Sequence, residues 1–214
     1  MGLAFGKHLA GNGVLSMVCA LLGTIVVGMV LGFCFLDVSA KPLLDETLMA
    51  ALDFMGFVAG IEIGSNRRLL KQICTPKNLA LALALPLGVV LGSLGGAYAS
   101  HFVTGLSVYD SILVGSGLGW YSLSSVVIST LYSTELGAVA FLANMLREVS
   151  SFVLIPLLAR WSKLMCIAPG GAGTMDSLLP LVIRGAGMQA GMFAFINGLV
   201  LSLLVPVLLS FLLQ

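Results

Sequence analysis

Charge is what this sequence has least of. Only 9% of its 214 residues are Asp, Glu, Lys or Arg, 59% are hydrophobic, and the formal net charge is +1. Soluble domains carry about 25% charged residues, so a water-facing globular surface is excluded. No basic block exists that could follow a nucleic-acid backbone. The four cysteines, Cys19, Cys34, Cys74 and Cys166, form no C-x-x-C pair. Three of them lie in or beside apolar runs and read as small packing residues, so no metal centre, disulfide or cofactor is expected. The two-residue alternation of a membrane barrel is also missing. No small-residue cleavage site ahead of polar sequence follows the first apolar run, 14–36, which reads as a retained span rather than a leader.

What the chain has instead is apolar length, with a mean hydropathy of +1.11. A helix needs about 20 mainly apolar residues to cross the hydrocarbon core, and residues 14–36, 43–63, 79–98, 136–159 and 188–212 each meet that length. The fold class predicted is all-α: a polytopic helical membrane protein with five full spans and two further segments that are re-entrant or broken. Those two are 108–131, with its glycine run GSGLGWYS, and 174–185, too short to cross alone. Residues 1–105 read as a three-span N-terminal region and 106–214 as the transport region.

Orientation follows the lysines and arginines of the short loops. Arg67, Arg68, Lys71 and Lys77 crowd one loop, which places that loop and the N-terminus in the cytoplasm and the C-terminus outside. If 108–131 crosses fully, Arg160 and Lys163 fall outside, against the rule; if it enters and returns, they fall inside. Gly115, Gly117 and Gly119 supply the backbone freedom a return needs. PGGAGTMD, 169–176, would then enter from the opposite face, the pattern of an inverted repeat in a secondary transporter. Both readings stay open.

Ionisable residues at membrane depth mark substrate, ion or proton pathways by default. Asp53, Glu62, Asp110, Arg147, Glu148, Asp176 and Arg184 are the candidates. Arg147 and Glu148 stand near the middle of a span, in FLANMLREVSSF, and adjacent helical residues diverge by about 100°, so each needs a partner from another segment. Arg147 reads as support, through an ion pair or through carbonyls freed in a broken helix; Asp110 and Arg184 are grouped with it as supporting ion pairs. Glu148 shares a polar face with Asn144 and Ser151, and an acid is the simplest group to hold a cation and a proton in turn. Asp176 lies in GGAGTMDSLLP, where Thr174 or Asp176 is a natural N-cap for a short helix whose free amides would receive a carboxylate. Trp120, Tyr121 and Ser122 follow the first glycine run and are either packing residues, an interfacial anchor, or part of the site. G-x-G-x-G there is no nucleotide fingerprint, because no strand–helix unit surrounds it.

The stretches GSGLGWYSLSSVVIST, FLANMLREVSSFVLIPLLAR, GGAGTMDSLLPLVIR and GLVLSLLVPVLLSFL together resemble the bacterial lysine exporter family of LysO type. The resemblance implies export of L-lysine and its analogue thialysine across the bacterial cytoplasmic membrane, with the acids matching Glu148 and Asp176 required. Where family members carry an aspartate one turn before the glutamate this chain has Asn144, and where they carry a glutamine it has Glu62. Longer members carry an additional membrane region ahead of the position matching residue 1, so a companion membrane subunit or an oligomer is expected to complete the cavity.

The site set is therefore Glu148, Asp176, Asn144, Thr174, Trp120, Tyr121 and Ser122, with lysine and protons as ligands and no enzymatic reaction. Alternatives are a carrier of another small cation or amino acid, a structural membrane subunit, and an intramembrane aspartyl protease pairing Asp110 with Asp176. The last would need G-x-G-D at its second acid, where this chain reads GTMD.

Overall fold

The computed structural model describes residues 75–214 throughout, and isolated helical positions between 23 and 61. The expected spans 14–36 and 43–63, Asp53, Glu62 and the basic residues 67–71 otherwise lie outside the described residues. The chain forms two compact units, Met1–Ala59 and Gly60–Gln214. All helices numbered below belong to the second.

Among the described residues, three long helices are apolar enough to cross a membrane. The first, α1 (Pro76–Thr104), starts where Pro76 occupies a first-turn position whose amide would be orphaned anyway. It stops at Gly105, which takes φ 73° and returns its N–H to the carbonyl of His101. The second, α4 (Thr134–Leu158), is capped by the Ser133 hydroxyl, which accepts the Leu136 N–H at 3.3 Å. The third, α6 (Met188–Leu212), follows the φ 92° residue Gly187. Their boundaries lie close to the expected spans 79–98, 136–159 and 188–212. Leu83, Leu91, Phe102, Leu203 and Phe211 point outward and exposed, as side chains in contact with lipid do.

Between these spans the chain breaks twice. Residues 108–131 form α2 (Val108–Gly115) and α3 (Tyr121–Leu131), of 8 and 11 residues. At about 1.5 Å per residue neither half reaches across a hydrocarbon core about 30 Å thick. Their outer ends meet: the Tyr132 hydroxyl donates to Asp110 Oδ1 at 2.9 Å, and the Tyr109 and Tyr132 rings lie 5.7 Å apart. A crossing segment would hold its ends a membrane thickness apart. The segment therefore enters and returns on one face, which decides between the two readings of the sequence. The Tyr109 hydroxyl also donates to the Leu212 carbonyl, so α6 ends on that same face.

The second break is a 3-10 helix, Met165–Met175, distorted at Gly171, followed by α5 (Leu179–Ala186). Asn78 at the start of α1, Lys163, and Ala186 to Gln189 around the start of α6 line one cavity of about 420 Å³. Both ends of this second segment thus return to the face opposite the first. Its helical start differs from expectation. Neither Thr174 nor Asp176 caps α5, which begins two residues later with Leu178 as N-cap and no side-chain cap bond. The Gly173 carbonyl accepts the N–H of Asp176 at 3.4 Å and of Leu178 at 3.0 Å, so the tight turns continue past Asp176 and delay the helix.

The two breaks touch backbone to backbone. Ala172 N–H donates to the Leu118 carbonyl at 2.9 Å, and a Cβ on Gly171 would lie 2.1 Å from that oxygen. Helix α6 closes over the junction, where Gly198 leaves room for the backbone of Met175. A core of Leu113, Leu118, Ile128, Ala172, Leu201 and Val205 surrounds the contact.

Candidate functional site

Glu148 projects from α4 toward the end of the second break, where Asp176 follows the last 3-10 turn. Ser177 joins them. Its hydroxyl donates to Glu148 Oε1 at 2.5 Å and lies 3.2 Å from Asp176 Oδ1, while its backbone N–H donates to Asp176 Oδ1 at 2.5 Å. All three side chains are half-buried. Tyr121, in the first turn of α3, lies within electrostatic reach of both carboxylates and packs edge-on against Phe141 at 5.4 Å. The site thus draws one acid from a continuous span, one from the second break and a phenol from the first.

The remaining polar residues hold the breaks in place. Asn144, one turn before Glu148, accepts the Gly119 N–H at 2.8 Å and donates to the Val114 and Ala140 carbonyls at 3.1 and 2.9 Å. It is 4% exposed. A Cβ on Gly117 would lie 2.6 Å from its amide nitrogen, so the glycine lets the side chain reach the turn. Arg147, on the other side of α4, takes the carbonyl alternative and not an acid. Its Nε donates to the Pro169 carbonyl at 2.9 Å, one terminal nitrogen to the Ala168 carbonyl at 3.3 Å, and the other to Ser93 Oγ at 2.9 Å. The Ser93 hydroxyl in turn donates to the Gly115 carbonyl at 3.0 Å. One guanidinium thereby connects the second break to α1 and, through Ser93, to the first break.

Thr174 faces away from the acids. It is fully buried, with its hydroxyl 2.7 Å from the Gly171 carbonyl and 2.9 Å from that of Ala194, and it accepts from Asn197 Nδ2 at 3.2 Å. Trp120 is the backbone N-cap of α3 and packs on the apolar core, while Ser122 is exposed one residue past Tyr121. Asp110 accepts from Tyr132 at the outer end of α2, and Arg184 is exposed in the last turn of α5. Among the described residues, Arg147 is held by carbonyls and a serine, Asp110 by a tyrosine, and Arg184 lies at the surface, in place of the supporting ion pairs expected of them. Peptide hydrolysis would need Asp110 beside Asp176, and the acid that meets Asp176 is Glu148.

Sequence reasoning passed over Ser177, Ser93 and Asn197. Asn197 left a signal, since it is the one carboxamide inside an otherwise apolar stretch of the last span. Ser177 and Ser93 left none, because a serine in a glycine-rich segment reads as a small packing residue.

Glu148 and Asp176, from different segments, thus meet at one serine. The family model described as lysine exporter LysO matches residues 22–213. The chain belongs to the LysO lysine exporter family. Lysine exporter LysO of Escherichia coli (strain K12) is 32% identical over 194 residues, which cover 89% of this chain and 62% of that protein. The chain thus spans less than two thirds of that relative. A Haemophilus influenzae protein named "Putative lysine exporter" is also 32% identical, over 193 residues that cover 89% of this chain and 95% of that one. No solved structure matches this family member. The family and, among the described residues, three long apolar helices make it a multi-pass membrane protein.

Proposed function

We propose that the chain exports L-lysine, and its analogue thialysine, from the bacterial cytoplasm in exchange for protons. The observation that supports this reading is the meeting of Glu148 and Asp176 through Ser177. One cationic ammonium placed there would neutralise two carboxylates that are costly to leave ionised away from water. The α-carboxylate of the substrate would face the first turn of α3, where Tyr121 sits and no side chain caps the helix amides. The basic residues Arg160, Lys163 and Arg184 follow segments that return to one face, and this supports placing that face, with the N-terminus, in the cytoplasm and the C-terminus outside.

Expelling a cation against an inside-negative potential costs about 2.3 kcal/mol per charge per 100 mV. A passive pore would admit lysine rather than expel it. A proton entering for each lysinium leaving removes the electrical term and leaves the pH gradient to drive export. Protonation of the acids from outside releases lysine, and deprotonation toward the cytoplasm permits loading.

The test is thialysine resistance in a lysine-export-deficient bacterium. Expression of the chain is expected to restore growth on thialysine and raise external lysine. Normal growth restored equally by Glu148→Gln would contradict the reading and favour a structural subunit.

A further inference from the structure

We propose that Ser177 ties Glu148 and Asp176 into one titrating unit that holds a single proton in the lysine-free carrier and passes it between the two acids. This rests on the export reading above and adds the relay and its stoichiometry. Ser177 offers two hydrogens, and its backbone N–H is already given to Asp176 Oδ1 at 2.5 Å. The hydroxyl has one hydrogen for two carboxylates. It lies 2.5 Å from Glu148 Oε1 and 3.2 Å from Asp176 Oδ1, and the shorter contact takes it. The longer contact is then open to a hydrogen from Asp176 when that acid is protonated. A carboxylic acid on Asp176 supplies one, which gives a directed chain from Asp176 O–H to Ser177 Oγ and from Ser177 O–H to the Glu148 carboxylate.

Transfer along this chain balances without any other reactant. The Asp176 O–H bond breaks as a Ser177 O–H bond forms, and the original Ser177 O–H bond breaks as Glu148 Oε1 gains its hydrogen. The negative charge moves from Glu148 to Asp176, and the hydroxyl ends as it began, turned the other way. Two carboxylates this close at membrane depth do not both ionise when no cation lies between them, and their protons belong to the pair rather than to either acid.

Among the described residues, few charged groups face the pair. From α3 the facing group is the Tyr121 phenol. From α4 the neighbour is Arg147, whose guanidinium is turned to Pro169, Ala168 and Ser93. Helix α6 carries no ionisable residue, α5 only Arg184 at its far end, and α1 only Lys77, Tyr98 and His101 toward its two ends. One lysine ammonium entering between the acids would displace one proton.

The full-length chain in proteoliposomes tests this with three versions: wild type, Ser177→Ala and Ser177→Thr. Ser177→Ala is expected to lower lysine flux driven by a pH gradient by about tenfold or more. Its half-maximal pH should also move by about one unit, as Glu148 loses the hydroxyl that holds its charged form. Ser177→Thr keeps the hydroxyl and should stay within about threefold of wild type with an unchanged midpoint. Wild-type flux should follow the pH gradient and ignore a clamped potential, as one-for-one exchange demands. A Ser177→Ala flux loss with the wild-type midpoint, no rescue by threonine, or wild-type flux that follows the potential would each overturn the proposal. Exchange of labelled lysine with no gradient tests the export reading separately. A wild-type chain that exchanges none overturns both, whereas exchange with a Ser177-independent pH profile overturns this proposal alone.

Discussion

The two breaks solve one geometric problem with different materials. The first, from Gly115 to Trp120, turns on backbone freedom: Leu118 takes φ 48° and Gly119 φ 95°, and the neutral amide of Asn144 holds the turn. It presents the uncapped start of α3 and the Tyr121 phenol. The second, from Pro169 to Asp176, carries an acid at its end and is held by the Arg147 guanidinium on one side and Asn197 on the other. A charged brace lies on the second break and a neutral one on the first. Both acids lie on the side braced by charge, where the Arg147 guanidinium is turned to the Pro169 and Ala168 carbonyls. On the export reading proposed above, the first break is a frame and the second is the part that changes protonation.

The sharpest way to break this comparison is at the contact itself. Gly171→Ala would set a Cβ 2.1 Å from the Leu118 carbonyl at φ 55°, a backbone-to-backbone clash expected to cost about 4 kcal/mol or more. Size-exclusion profiles in detergent should show loss of the folded species. Gly105→Ala, also left-handed at φ 73° but with nothing described within 4 Å, should lower thermal stability by only about 1–2 kcal/mol.

Next comes the neutral brace. Asn144→Leu leaves the Gly119 N–H without its Asn144 acceptor and takes one of its donors from the Val114 carbonyl, which keeps the Gly117 N–H, a loss of about 2 kcal/mol. Detergent melting should fall by several degrees, and Asn144→Gln should not recover it, since its longer arm meets the Gly117 turn. Arg147→Lys keeps the charge but can serve only one of the three acceptors at Pro169, Ala168 and Ser93, a loss of about 2 kcal/mol. Flux should fall while its pH midpoint stays put, because the arginine shapes the second break without exchanging a proton.

The smallest effect is expected at the face where the first break begins and ends. Tyr132 donates to Asp110, and this hydrogen bond raises the phenol above its ordinary range on an exposed surface. The contribution is therefore present at neutral pH and lost as pH rises through that raised value. Tyr132→Phe should melt slightly below wild type at pH 7, with the difference vanishing in strong alkali.

Much of the framework could be read from hydrophobic length, because a membrane leaves only helices and fixes their size. The last span begins at Met188 and ends at Leu212, as its apolar run predicts. Whether 108–131 crosses or returns was not legible. That depends on Tyr132 meeting Asp110, a contact between residues 22 apart in the chain. Glu148 and Asp176 stood out because charge is rare at membrane depth, but Asn144 and Thr174 looked equally polar on paper. The structure spends Asn144 on the turn at Gly119 and Thr174 on the Ala194 carbonyl, since a broken helix leaves backbone groups that nearby polar side chains must satisfy. Periodicity shows which face a residue occupies and not which orphaned carbonyl will claim it.

The central claim is that two carboxylates from different segments act together on one cation. Lysine flux in proteoliposomes under an imposed pH gradient, compared among wild type, Glu148→Gln, Asp176→Asn and the double variant, tests it most directly. The account predicts that each single variant loses about a hundredfold or more, that the double loses no more than either, and that all three remain folded. Either single variant transporting at the wild-type rate, or losses that multiply in the double, would contradict it.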